Sequence, residues 1–212
     1  MFLNKETFLG GRCCDLGDQG VFDLEYTSKL FGLDFSGLNR FGAMTKLYSH
    51  LNYDRDFIDL KEGGLQYDLN YSIRSHIKLH EKYDLVTNHG TSEHIFNQYT
   101  CFEAIHYLTK PGGYMFHSLN CQGWADGGGL GHGFYLYQPK FVKLLSDHNN
   151  YNVIDIQYNP SSVIPDLFPL TLQNYPIMSN PRNINANVPH FSSILVLLQK
   201  TQSQEFAIPC EY

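Results

Sequence analysis

The sequence has no surplus of positive charge: 15 lysines and arginines stand against 21 aspartates and glutamates, for a net charge of −6. Such a surface neutralises few phosphates, which argues against nucleic-acid binding as a dominant role and leaves a small-molecule or protein substrate as the better fit. No run approaches the roughly 18 apolar residues that span a bilayer, and the opening MFLNKETFLGGRCC lacks a basic segment followed by a long apolar stretch. The expectation is a soluble, cytoplasmic protein with no membrane partner. The five cysteines, Cys13, Cys14, Cys101, Cys121 and Cys210, include no C-x-x-C pair. Their odd number and irregular spacing fit neither a disulfide framework nor a structural zinc site, so they read as reduced thiols. The 15 tyrosines and 15 phenylalanines recur at no fixed period, which removes a repeat architecture. A Gly-x-Gly-x-x-Gly fingerprint is also missing, and with it the main support for a nicotinamide-dependent oxidoreductase.

What is present is enough for one core: 212 residues, 42% of them hydrophobic, read as a single domain over 1–212. GRCCDL ends in a Gly-rich turn and is followed by Phe22, Tyr26, Leu30 and Leu33 at helical spacing, which gives strand, turn and helix. Met44, Leu47, Tyr48 and Leu51 keep a second helical period. DFIDL, LQYDLN and YDLVTN follow as short strands. From Ser92 a stripe of Ile95, Tyr99, Phe102, Ile105 and Leu108 predicts a helix that Pro111-Gly112-Gly113 stops. YMFHSLN is the next strand, the stretch from Pro139 to His148 the next helix, and NVIDIQYN and SSILVLLQK the last two strands. Between those two lies a Pro-rich insertion at about 160–189, long enough to be functional. Alternating strands and helices imply a mostly parallel sheet, with the final strand pair as an antiparallel addition at one edge. Ligands of such sheets bind outside the carboxyl ends of the strands, near the topological switch point.

The turn Gly17-Asp18-Gln19-Gly20 would present backbone N–H groups there, although Gly-rich turns after strands are common in any α/β protein. Asp59 would end the second strand, where a carboxylate accepts both hydroxyls of a ribose; a solvated loop acid is the plain alternative. Asp68 either holds an adenine amino group or caps the loop that follows it.

The chained segment from Lys82 to Gly113 resembles the class I S-adenosylmethionine-dependent methyltransferases. It carries Tyr83-Asp84-Leu85-Val86, then Glu93-His94-Ile95, then Leu108 with Pro111-Gly112-Gly113. The resemblance covers about residues 11–150. It implies a Rossmann-like, mostly parallel seven-stranded sheet with helices on both faces and an antiparallel edge strand. It implies S-adenosylmethionine as cofactor, with Gly17 at the methionine end and Asp18 in the same turn. Asp59 would take the ribose, Asp68 and Leu69 the adenine, and Asn88 to Gly90 the floor beside the methyl group. The first motif departs from the family's acid followed by Gly-x-Gly-x-Gly: Asp15-Leu16-Gly17-Asp18-Gln19-Gly20 keeps the acid and two glycines and adds an aspartate. No Asn-Pro-Pro-Tyr motif follows the fourth strand, which disfavours the amide- and adenine-modifying branches.

Methyl transfer to a hydroxyl needs a base, and His94, His89 and His132 are the candidates, although each reads more readily as a structural or surface histidine among the ten in the chain. A metal site from Glu93 with His132 or Asp126 is a thinner reading than Glu93 as a helix-start acid, so no metal is expected. Trp124 in the Gly-rich connection reads as a pocket wall or as part of a surface loop. The expected function is methylation of a small-molecule or carbohydrate-like acceptor, with O-methylation ranked first because histidine bases are plentiful. The competing reading is a non-catalytic binding module with the same fold. Nothing in the residues chooses between a monomer and a homo-oligomer.

Overall fold

The computed structural model describes residues 10–121, 133–160, 170–171 and 191–211. Among the described residues, eight strands form one sheet. They are β1 (Gly11–Leu16), β2 (Tyr53–Asp59), β3 (Leu65–Gln66), β4 (Tyr83–His89), β5 (Thr109–Asn120), β6 (Asn152–Pro160), β7 (Leu170–Thr171) and β8 (Phe191–Gln199). Their order is β3-β2-β1-β4-β5-β8-β6-β7. The first five in that order are parallel, while β8 runs antiparallel to both β5 and β6. The seven strands expected from the sequence are all present, and β7, two residues long, adds itself beyond β6. The helices are α1 (Leu24–Phe31), α2 (Arg40–His50), α3 (Gln98–Leu108) and α4 (Pro139–His148).

Strand alternation sends neighbouring side chains to opposite layers. Cys13 packs with Tyr48 of α2, whereas Cys14 and Leu16 pack in the cluster that holds α3 and Val142 and Leu145 of α4. Helices therefore cover both faces. α3 is buried from Thr100 to Leu108, and its polar members have partners. Glu103 accepts from Arg74 and Tyr99 at 2.7 Å each. Gln204 can offer His106 only its carbonyl oxygen, so His106 Nε2 carries the proton and donates at 2.8 Å, leaving Nδ1 to accept from Tyr151 at 2.6 Å. The buried ammonium of Lys200 donates to the carbonyls of His106 and Thr109 at 3.0 Å and pairs with Glu81, a favourable place for a cation at a helix C-terminus. No helix among the described residues is long and apolar enough to cross a membrane.

Four local expectations change. α3 starts at Gln98 under an Asn97 cap, and Ser92–His94 is a separate 3-10 turn, because Ile95 is extended and breaks the helical run. Pro111-Gly112-Gly113 does not stop α3, which ends at Leu108 where the Thr109 hydroxyl bonds back to the Ile105 carbonyl. Those three residues instead bulge within β5: Tyr83 faces Thr109 and Leu85 faces Tyr114. The stripe of Phe22, Tyr26 and Leu30 points outward, with Phe22 91% exposed. LQYDLN contributes only Leu65 and Gln66 to the sheet.

Candidate active site

The chain proceeds from β1 outward to β2 and β3, then returns to place β4 on the other side of β1, so the switch point is the β1–β4 crevice. At the end of β1, Gly17 has φ +76° and its N–H donates to the Ile58 carbonyl at 2.7 Å. The positive φ suits glycine and swings the turn over the end of β2. The next N–H, of Asp18, donates to Asp59 Oδ2 at 3.0 Å, and Lys61 N–H donates to Asp59 Oδ1 at 3.1 Å. Burial opposes the Asp59 charge, but these N–H donors outweigh it and hold the carboxyl below its ordinary range. Each oxygen keeps a further lone pair with which to accept a hydroxyl.

Beneath this turn lies an ion pair that the sequence reading missed. Arg55 Nε donates to Asp15 Oδ2 at 2.7 Å, and the two side chains are 5% and 0% exposed. Asp15 also accepts from the Tyr48 hydroxyl at 2.9 Å and from the Thr87 hydroxyl. Arg55 Nη2 reaches Asp18 Oδ1 at 3.1 Å and the Gln19 carbonyl at 3.0 Å, while its guanidinium lies 5.3 Å from the Phe57 ring centre. Burial works against the guanidinium charge, and Asp15 and Asp18 overcome it to raise its pKa. Arg55 thereby fastens the Gly-rich turn to β2. The available signal was a basic residue between two aspartates in β2, two residues before Phe57 and on the same face.

On the β4 side, Asn88 is fully buried. Its Oδ1 accepts from Ser92 N–H at 3.0 Å, and its Nδ2 donates to Ser92 Oγ at 2.9 Å. Its side chain thus shapes the turn. Gly90, at φ +64°, leaves space that a Cβ would close to 3.2 Å from Glu93 Oε1. Glu93 stands in the 3-10 turn Ser92–His94 that precedes α3, where it is buried and accepts from Asn120 Nδ2 at 2.6 Å. His89 is half-buried against Phe116, ring centres 4.7 Å apart, and burial lowers its pKa despite the opposing charge of Asp15. His94 is exposed, in the Ser92–His94 turn.

The two turns meet through Gln19. Its Nε2 donates to the Leu16 carbonyl and to Thr91 Oγ1, both at 3.0 Å, and the Thr91 hydroxyl donates to the same carbonyl at 2.6 Å. Gly17, Asp18 and Asp59 are joined through the Asp18–Asp59 bond, Asn88 sits near the end of β4, and Gly90 opens the adjoining turn. Asp68 and Leu69 are brought to the end of β2 by the neighbouring Tyr67 N–H, which donates to the Asp59 carbonyl at 3.2 Å. There Asp68 Oδ1 caps its own loop, accepting from Asn70 N–H at 2.9 Å, and the Leu69 side chain is buried in the core. His132, Asp126, Trp124 and nearly all of the 160–189 insertion lie outside the described residues. Among the described residues no three His, Cys, Asp or Glu side chains gather as metal ligands.

No protein-family model matches the sequence, and no curated protein sequence matches it. Solved structures do. A SAM-dependent methyltransferase from Archaeoglobus fulgidus superposes with TM-score 0.56 at 10% identity, over 92% of this chain and 88% of that one. A methyltransferase from Methanosarcina mazei gives 0.51 at 11% identity, over 93% and 97%. The 1,6-didemethyltoxoflavin-N1-methyltransferase of Burkholderia thailandensis, solved with 1,6-didemethyltoxoflavin and S-adenosylhomocysteine bound, gives 0.50 at 13% identity, over 90% and 71%. The fold is that of the class I S-adenosylmethionine-dependent methyltransferases, Rossmann-like with an antiparallel end to the sheet.

Proposed function

We propose that this chain is an S-adenosylmethionine-dependent methyltransferase with a small-molecule acceptor. The observation that carries the reading is the Asp59 carboxylate at the end of β2, held by the N–H of Asp18 from the end of β1. That pairing sets a carboxylate with free lone pairs beside a glycine turn at the switch point of this fold, which supports a role as ribose acceptor. Asp59 would accept the ribose hydroxyls, Gly17 and Asp18 would line the methionine end, and Asp68 and Leu69 would border the adenine. Asn88 and Gly90 would form the wall near the transferred group. The bound cofactor supplies a methyl group already activated by its sulfonium. The chain's own task is to align an acceptor and, for a hydroxyl acceptor, to take its proton. His89 is suited to that, because its lowered pKa keeps it neutral near pH 7 at the end of β4; His94 and His132 remain further candidates. Of the carbohydrate-like and other small acceptors, O-methylation is the reading that this histidine supports. A cytoplasmic setting accords with five free cysteines.

A second reading, a non-catalytic module of the same fold, draws support from the Gln19 and Arg55 bonds that occupy the turn. Calorimetric titration with S-adenosylhomocysteine separates the two. Micromolar binding supports the enzyme, and absence of binding at millimolar ligand refutes the cofactor site and favours the module.

A further inference from the structure

Gln19 occupies the place where a ligand of the β1–β4 crevice would meet the glycine turn. A Cβ built on Gly17 would lie 3.1 Å from Gln19 Nε2 and 3.1 Å from Thr91 Oγ1, so the space that glycine leaves open is filled by this bridge. The backbone N–H groups of Gly17 and Asp18 are spent on Ile58 and Asp59, and Arg55 holds the Gln19 carbonyl. The Gln19 side chain is different. It is half-buried, and rotation about its own χ angles releases both of its hydrogen bonds to water without moving the backbone.

From this geometry we infer that Gln19 is a latch on the cofactor crevice, closed by Leu16 and Thr91 in the free protein and displaced when ligand enters. The inference rests on the cofactor reading above and adds its regulation. The two acceptors that Gln19 vacates, the Leu16 carbonyl and Thr91 Oγ1, are satisfied by a ligand group that donates, such as an ammonium. Two neutral hydrogen bonds exchanged for water bias the closed form by about 5- to 160-fold, and the apparent affinity falls by the same open fraction.

The test is titration of S-adenosylhomocysteine into the wild type, Gln19→Ala and Thr91→Val, which remove opposite ends of one bridge. A thermal melt of each variant establishes that it is folded. Gln19→Ala loses both latch bonds and is expected to bind about fivefold more tightly than wild type, or more, whereas Thr91→Val loses one latch bond together with an acceptor for the ligand and is expected to bind less tightly than Gln19→Ala. Binding by the variants alone would support the latch in a stronger form. If wild type binds and Gln19→Ala binds equally or more weakly, the latch is overturned and the cofactor site stands. If none of the three binds, the cofactor site and the latch fall together.

Discussion

Replacing Arg55 by methionine keeps an apolar stem between the rings of Tyr48 and Phe57 while removing the charge that faces Asp15. Asp15 would stay fully buried with the hydroxyls of Tyr48 and Thr87 but without its cation. Breaking a buried pair in this way costs about 3–5 kcal/mol, and the two remaining hydroxyl donors place the expectation near about 3. That is a large share of the roughly 5–15 kcal/mol that stabilises a domain. Equilibrium urea unfolding reads it directly: with a slope of about 2–3 kcal/mol/M the midpoint falls by about 1 M or slightly more at unchanged slope. Asp15→Asn in the Arg55→Met background removes the stranded charge and should recover about 2 kcal/mol, so the two single costs exceed the cost of the pair. Costs that simply add, or an Arg55→Met cost under about 1 kcal/mol, would refute the claim that this pair fastens the turn.

Asp59→Ala is expected to weaken S-adenosylhomocysteine binding by more than about tenfold, measured calorimetrically, because hydrogen bonds to a charged acceptor are lost; equal binding would remove Asp59 from the site. Burial lowers the pKa of His106 to about 4 and of His117 to about 3, from an ordinary 6.5. The unfolded chain therefore takes up protons below pH 6.5 that the folded chain refuses. Stability is retained above that pH and lost as it falls toward 4, by about 1.4 kcal/mol per pH unit for each histidine at full effect. The urea midpoint should drop between pH 7 and pH 5, and His117→Gln should shrink that drop. Gly11→Ala forces a Cβ to 2.4 Å from Asp84 Oδ2 at φ +124°. A cost of about 2 kcal/mol lowers the melting temperature by about 4–8 °C, and an unchanged melt would show that the strand end relaxes freely. Cys13, Cys14, Cys101 and Cys121 are buried, and burial pushes their thiols up, whereas Cys210 is partly exposed. An aromatic disulfide reagent should label Cys210 quickly in the native protein and the other four only after denaturation; rapid labelling of a second thiol contradicts the burial.

The elements whose signal is local were readable. α4 begins at Pro139 and ends at His148 as its proline and Asn149-Asn150 suggest, and β4 is the short β-rich run from Tyr83. Signals that depend on distant partners misled. Pro-Gly-Gly looks the same whether it ends a helix or bulges a strand, and here the register with β4 decides. Phe22, Tyr26 and Leu30 have the period of a buried face, yet they point outward while Leu24 packs against Val21 and Phe35. The ends of β1 and β2 were legible, so Gly17 just after one and Asp59 at the end of the other could be placed from the sequence. Arg55, Gln19 and Thr91 were not, since each matters through a partner more than thirty residues away: Asp15, Thr91 and Leu16.

The position of β8 sets the order in which the protein can become whole. This late strand fills an interior place, pairing from Asn120↔Ser193 to Tyr114↔Gln199 on one side and with β6 on the other. A nascent chain can assemble β1 to β5 as a parallel half-sheet well before β8 leaves the ribosome. Until then β5 and β6 each present an open edge of unpaired N–H and C=O groups, the kind that templates aggregation and that chaperones shield. Loop closure over so long a separation slows the final step. A ribosome-stalled chain that ends before Ser193 would hold the parallel half of the fold beside an unclosed seam.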